Sequence, residues 1–169
     1  MEPAALHFVI GPTGAGKTTC AVRLCRDLGA VRFSIDEWMS SLFWMDAPQP
    51  IEPAWALERV RRCSAMIWQT AVGVARQGVP CVLEMGFTTR ESRLRHLALA
   101  READLAVEAH LVDAPSEERW ARVQRRNDAE GDRQLAFAVT REMFDYTDAM
   151  WEPPTAEEIA TYDRFTAAT

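Results

Sequence analysis

The chain has 169 residues, 48% apolar and 26% charged, with 19 Lys and Arg against 25 Asp and Glu for a net charge of −6. That length suits one domain over residues 1–169, and the apolar fraction supplies a core, which excludes disordered and fibrous classes. No basic run exceeds two residues, so the footprint of a general nucleic-acid or anionic-membrane binder is missing and any polyanion must be captured locally.

In chain order, Leu6-His7-Phe8-Val9-Ile10 is an apolar run that predicts a buried strand, and it leads into Gly11-Pro12-Thr13-Gly14-Ala15-Gly16-Lys17-Thr18. Ala21, Leu24, Cys25 and Leu28 recur at helical spacing up to Gly29, and Val31 to Ile35 reads as a second strand. A short helix is expected from Asp36 to Phe43, a proline-marked loop over Asp46 to Pro53, and a long helix from about Ala54 to Gln77. Val79 to Met85 predicts a third strand, Arg90 to Arg101 a helix, Leu105 to Val112 a fourth strand, and Pro115 opens a helix through about Arg126. Val139 to Met150 is helical again. After Pro153-Pro154 the C-terminal tail, about 152–169, is read as one helical turn at Ala156–Ile159 and an edge strand. Strands alternating with helices imply an α/β class with a parallel sheet covered on both faces.

No apolar stretch approaches the roughly 18 residues of a membrane span, and Met1 to Ala5 lacks the basic end of a signal peptide, so a cytoplasmic location is expected. The four cysteines, Cys20, Cys25, Cys63 and Cys81, have no CxxC spacing and are expected to be free, buried thiols. His7, His96 and His110 show no catalytic spacing and are read as structural.

Gly11 through Thr18 matches GxxxxGK[ST] between a predicted strand and a predicted helix. Glycines at 11, 14 and 16 free the backbone to turn amide N–H groups inward around phosphate oxygens, and the following helix adds its positive end. Pro12, Thr13 and Ala15 complete the cradle. Lys17 is expected to reach the β- and γ-phosphates of a bound nucleotide and the Thr18 hydroxyl to ligate Mg²⁺, with Thr19 supporting the helix start. No NKxD-type guanine-reading motif follows, and the third strand ends Val82-Leu83-Glu84-Met85-Gly86 without the Asp-Glu pair of motor ATPases.

The phosphate loop, Ser34-Ile35-Asp36-Glu37, Val82 to Phe87 followed by Arg90 and Arg93, Arg122 to Asn127, and the stretch Val139 to Phe144 with Trp151 to Pro154 together resemble one family of small P-loop kinases. It includes phage-type polynucleotide kinases, chloramphenicol phosphotransferase and zeta-toxin-like proteins, often filed as AAA family ATPases. The resemblance covers roughly residues 6–154. It implies a three-layer P-loop fold with strand order 2-3-1-4-5, a helical lid at about 127–135, and transfer of the ATP γ-phosphate to a hydroxyl. Asp36 matches the general base, with Glu37 as an understudy; an N-cap of the short helix is the alternative. Glu84 is read as a Mg²⁺-site acid, direct or through water, or as half of a structural ion pair. Arg122 and Arg126 share a helical face leading to the lid and suit charge stabilisation on the phosphoryl group and contact with adenine, or else a solvated face. Arg90 and Arg93 suit an anionic substrate group or solvated helix charge.

Four of the six tryptophans lie between strands two and three. Trp38 and Trp44 are candidates for the acceptor pocket and Trp68 for the core. The expected acceptor is a small antibiotic-, nucleoside- or sugar-nucleotide-like hydroxyl compound. The alternatives are a polynucleotide 5′-hydroxyl, which would need a basic channel leading to Asp36, and a nucleotide-binding regulatory or toxin-type module with little transfer activity.

Overall fold

The computed structural model describes residues 2–128 and 138–168, and the statements below concern those residues. Five strands form one parallel sheet: β1 (Leu6–Ile10), β2 (Val31–Ser34), β3 (Cys81–Glu84), β4 (Val107–Val112) and β5 (Arg164–Ala168), in spatial order β2-β3-β1-β4-β5. Helices α1 (Lys17–Leu28), α2 (Ile35–Phe43), α3 (Pro53–Arg76), α4 (Arg90–Glu102), α5 (Ser116–Asn127), α6 (Arg141–Ala149) and α7 (Ala156–Ile159) connect them, with a 3₁₀ turn at Trp44–Asp46. The predicted order 2-3-1-4-5 is the order observed.

The period of two along each strand decides which helices it meets. Phe8, Ile10, Phe33, Leu83 and Ala109 point into the larger core, with Cys63, Ile67, Ala71 and Ala75 of α3 and Leu97 and Ala100 of α4. Val9, Val82 and Val112 point the other way, onto Cys20 and Ala21 of α1. Phe8 stacks on Phe87 with ring centroids 4.6 Å apart, joining the central strand to the segment that enters α4.

Predicted boundaries move where local bonding overrides the apolar pattern. The strand expected from Leu105 starts at Val107 because the Leu105 N–H still closes onto Ala100 O at the exit of α4. The helix expected from Val139 starts at Arg141 because Thr140 caps it, its hydroxyl accepting from Met143 N at 3.3 Å. The one-turn helix and edge strand of the tail form as expected. The lid expected at about 127–135 lies outside the described residues from 129 onward.

The tail is locked to the body by a buried ion pair. Arg93, 0% exposed, donates from Nε and Nη2 to the Glu158 carboxylate at 2.5 and 2.9 Å, and from Nη1 to Phe87 O and Thr88 O, both at 3.2 Å. Tyr162 OH donates to the same carboxylate at 3.0 Å, and Trp151 lies over the guanidinium. Removing Arg93 would strand a buried carboxylate, so Arg93→Met is expected to cost about 3–5 kcal/mol. Urea denaturation checks this, and the double change Arg93→Met with Glu158→Met is expected to recover much of the loss.

The four cysteines are free, with Cys20, Cys63 and Cys81 buried as expected and Cys25 only half-buried. No helix among the described residues is long and apolar enough to cross a membrane.

Candidate active site

The phosphate loop follows β1 at the carboxyl edge of the sheet, where open parallel sheets bind ligands. Two glycines are required there by close approach. A Cβ on Gly11 would lie 2.1 Å from Val112 O, and one on Gly14, at φ +78°, would lie 2.5 Å from Arg119 O. Gly14→Ala therefore meets both an unfavourable backbone and an immovable carbonyl, and is expected to cost at least about 1–3 kcal/mol, readable as a lowered thermal midpoint.

Cys20 N is the first amide of α1 to close onto the preceding turn, accepted by Gly16 O at 3.1 Å. The amides of Lys17, Thr18 and Thr19 thus form the unpaired, positive end of the helix at the loop. The Lys17 ammonium donates to Gly11 O and Pro12 O, both at 2.8 Å. Burial pushes its pKa down to about 8, against the opposing pull of Asp36 and Glu84 and with the help of Arg126 and Arg119.

Lys17 is the chain's one lysine, so its titration can be followed chemically. Its acylation rate is expected to rise through a midpoint near pH 8, and to be suppressed by ATP. The stability consequence has a definite sign. The folded-state pKa lies below that of the unfolded chain, so the penalty for burying the ammonium is present below about pH 8 and is relieved between there and about 10.5.

Glu84, ending β3 and 7% exposed, accepts from Thr18 Oγ1 at 3.0 Å and from Arg32 Nε at 2.5 Å. Arg32 also reaches Glu37 Oε1 at 2.7 Å. Burial by itself would lower the Arg32 pKa, but the bonds to Glu37 and Glu84 outweigh it and push it up. The arginine partner that a buried Glu84 requires is thus Arg32. The Thr18 hydroxyl and Glu84 carboxylate together remain a hard-oxygen pair beside the loop, the donor chemistry Mg²⁺ prefers.

Asp36 is exposed in the first turn of α2, and the N-cap is Ser34, whose hydroxyl accepts from Glu37 N at 3.4 Å. The capping alternative for Asp36 therefore falls. Its charge is felt by both Lys17 and Arg126. Arg126 is the second member of this cluster: burial lowers its pKa, Asp36 opposes that, and its Nε is buried with no hydrogen-bond partner among the described residues. Arg122, one turn earlier, donates to Ala15 O at 3.0 Å and pairs loosely with Glu118.

Sequence reasoning missed Arg119. It is buried, donates to Thr13 O at 3.2 Å and pairs with Asp148 of α6 at 2.7 Å. The signal was there, since 119, 122 and 126 share one helical face. Thr13 Oγ1 also lies 3.1 Å from Thr147 Oγ1, a second link from the loop to α6.

Arg93 is a correction. Expected at the substrate rim, it is instead enclosed by Glu158 and two carbonyls and has no surface to offer a substrate. Arg90 is exposed at the start of α4, with its amide donating to Glu152 Oε2 at 2.6 Å. Trp38 is half-buried against Phe33 and the larger core, and Trp44 is half-buried in the 3₁₀ turn. Trp68 joins the core edge-on to Phe8. A further cation stands in this region: Arg59 lies 4.1 Å from the centre of the Trp55 ring and 5.9 Å from that of Phe43.

Comparison with known proteins gives the family and agrees with the fold. Residues 6–154 match a family described as AAA domain. The chain belongs to the AAA domain family. Solved structures similar to this AAA domain include a candidate kinase from Chloroflexus aurantiacus, 18% identical, covering 99% of this chain and 88% of the other at a TM-score of 0.74. Kti12 from Chaetomium thermophilum, in complex with ADP-AlF₃, is 17% identical over 97% of this chain and 88% of its own at 0.74. A sugar kinase from Janibacter sp. is 18% identical over 98% and 85% at 0.62. The AAA domain thus has the fold of small P-loop kinases. Among curated proteins no sequence matches it.

Proposed function

We propose that this protein is an ATP- and Mg²⁺-dependent phosphotransferase that moves the γ-phosphate to a hydroxyl of a small molecule, antibiotic-, nucleoside- or sugar-nucleotide-like. The observation that carries the reading is that the exposed carboxylate of Asp36 stands within electrostatic reach of both Lys17 and Arg126 at one end of the phosphate loop. A binding module needs the loop and Lys17 alone; an exposed carboxylate beside them is what an acceptor hydroxyl requires.

The residues fit both ligands. The glycine cradle has no room for side chains at 11 and 14, the amides of Lys17 to Thr19 are unpaired within the helix, and Arg126 holds a buried N–H without a partner. Mg²⁺, held at Thr18 and Glu84, would neutralise phosphate charge. Lys17 would exchange its two loop carbonyls for phosphate oxygens, gaining charge-assisted bonds. Asp36 would orient the acceptor hydroxyl and take its proton as the oxygen attacks phosphorus, with ADP leaving. Arg126 would bond the equatorial oxygens as charge spreads over them. Trp38, Trp44 and the stacked Arg59 would border the acceptor, and exposed Arg90 would attract an anionic group on it. The fold shared with a sugar kinase and a gluconokinase accords with a small acceptor.

The test is a panel of hydroxyl compounds and 5′-hydroxyl oligonucleotides incubated with ATP and Mg²⁺ and read by the mass of one added phosphate. A phosphorylated small molecule supports the reading. ATP binding with no transfer to any compound would reduce the protein to a nucleotide-binding module, and transfer to oligonucleotides alone would make it a polynucleotide kinase.

A further inference from the structure

A second cluster of chemistry-bearing side chains lies on the sheet away from the nucleotide loop. The parallel register sets His7 of β1 beside Glu108 of β4, and His110, two residues on, shares the face of Glu108. His7 precedes Gly11 by four residues, about 13 Å of strand, so the cluster is remote from the phosphate cradle. His7 Nδ1 lies 3.1 Å from His110 Nε2 and 3.8 Å from Glu108 Oε2, and all three atoms fall within 4.8 Å of one another. Ligand atoms at tetrahedral zinc, with bonds of about 2.0–2.2 Å, stand roughly 3.3–3.5 Å apart. The observed separations bracket that edge.

The hydrogen bonds around the cluster bear on where the His110 lone pair points. His110 Nδ1 lies 2.8 Å from the Thr166 hydroxyl on β5, which also reaches Ala109 O at 3.5 Å. With the Nδ1 proton donated to that hydroxyl, His110 Nε2 carries a lone pair, the arrangement by which a neighbouring group orients a metal-binding histidine. One side of the cluster opens to a cavity of about 620 Å³ lined also by Cys20, Arg23 and Asp27. Arg164, 3.9 Å from the Glu108 carboxylate, completes the charged groups facing it.

We propose that His7, Glu108 and His110 form a binding site for zinc, with the fourth position open to this cavity. Two imidazole nitrogens and one carboxylate select a borderline ion such as zinc over Mg²⁺, which prefers oxygen alone. On binding, the proton of His7 moves from Nδ1 to Nε2, so the ring remains neutral. Arg23 and Arg164 at the mouth favour an anion as the fourth ligand. The ion would staple β1 to β4, and through Thr166 to β5.

The full chain, stripped of metal by chelation and held in Mg²⁺-free buffer, is titrated with zinc against a chromophoric chelator. The same titration with Co²⁺ reports tetrahedral geometry through its visible absorption. One equivalent bound in the micromolar range or tighter is expected, with a raised thermal midpoint. His110→Ala and Glu108→Gln are expected to abolish the site. Thr166→Val, which removes no ligand, is expected to weaken it about tenfold and serves as the deciding variant should the others fail to fold. The proposal is overturned by the absence of micromolar zinc binding, by affinity unchanged in Thr166→Val, or by a cobalt spectrum dominated by thiolate bands, which would place the ion on the cysteines.

Discussion

Asp36→Asn is expected to slow phosphoryl transfer by about 10²–10⁴-fold while leaving ATP affinity nearly unchanged. The substitution keeps shape and removes only the capacity to accept a proton. It should leave the fold intact, because Asp36 is exposed and the start of α2 is capped by Ser34. Glu37, the neighbouring carboxylate, is held by Arg32 at 2.7 Å and so is not free to substitute. Steady-state rates with the acceptor found by the panel, together with calorimetric ATP titration, check both halves. Turnover close to that of the parent protein would remove Asp36 from the chemistry.

The second large effect is expected at Arg126. Its alanine variant should lose about 10³–10⁵ in kcat, the range for an arginine that stabilises charge on the transferred phosphoryl. The arginines of α5 are distinguished by what they already hold. Arg119 is consumed by Asp148, Thr13 O and Ala114 O, and Arg122 by Ala15 O and Glu118. Arg126 alone of the three carries a buried, unpaired N–H, and its charge couples to Asp36. Arg122→Ala should therefore cost clearly less than Arg126→Ala. A reversal of that ranking would exchange their roles.

The strands and long helices were legible because their signals are local: apolar runs, capping residues and glycine stops act within a few positions. The phosphate loop was legible for the same reason. Arg93 was misread because its partner, Glu158, lies 65 residues away, and nothing near Arg93 in sequence announces a buried carboxylate. The His7, Glu108 and His110 cluster was invisible for a related reason. Its spacing is set by the β1–β4 register across 103 residues, so each histidine in isolation resembles an ordinary core residue. Arg32 left a fainter trace, as a charge in a short strand whose other members are mostly apolar. Its pairing with Glu84 follows only once β2 and β3 are adjacent.

The contact of Gly14 with the Arg119 carbonyl sets a limit on motion. Backbone packs on backbone there, and the guanidinium groups of Arg119 and Arg122 bond to the carbonyls of Thr13 and Ala15. The first turns of α5 and the phosphate loop must therefore travel as one piece. Two further helical turns, about 10 Å, carry the chain from Arg119 to Arg126. While α5 stays continuous to Asn127, the helix acts as a ruler that holds the base of Arg126 at a preset distance from the phosphates.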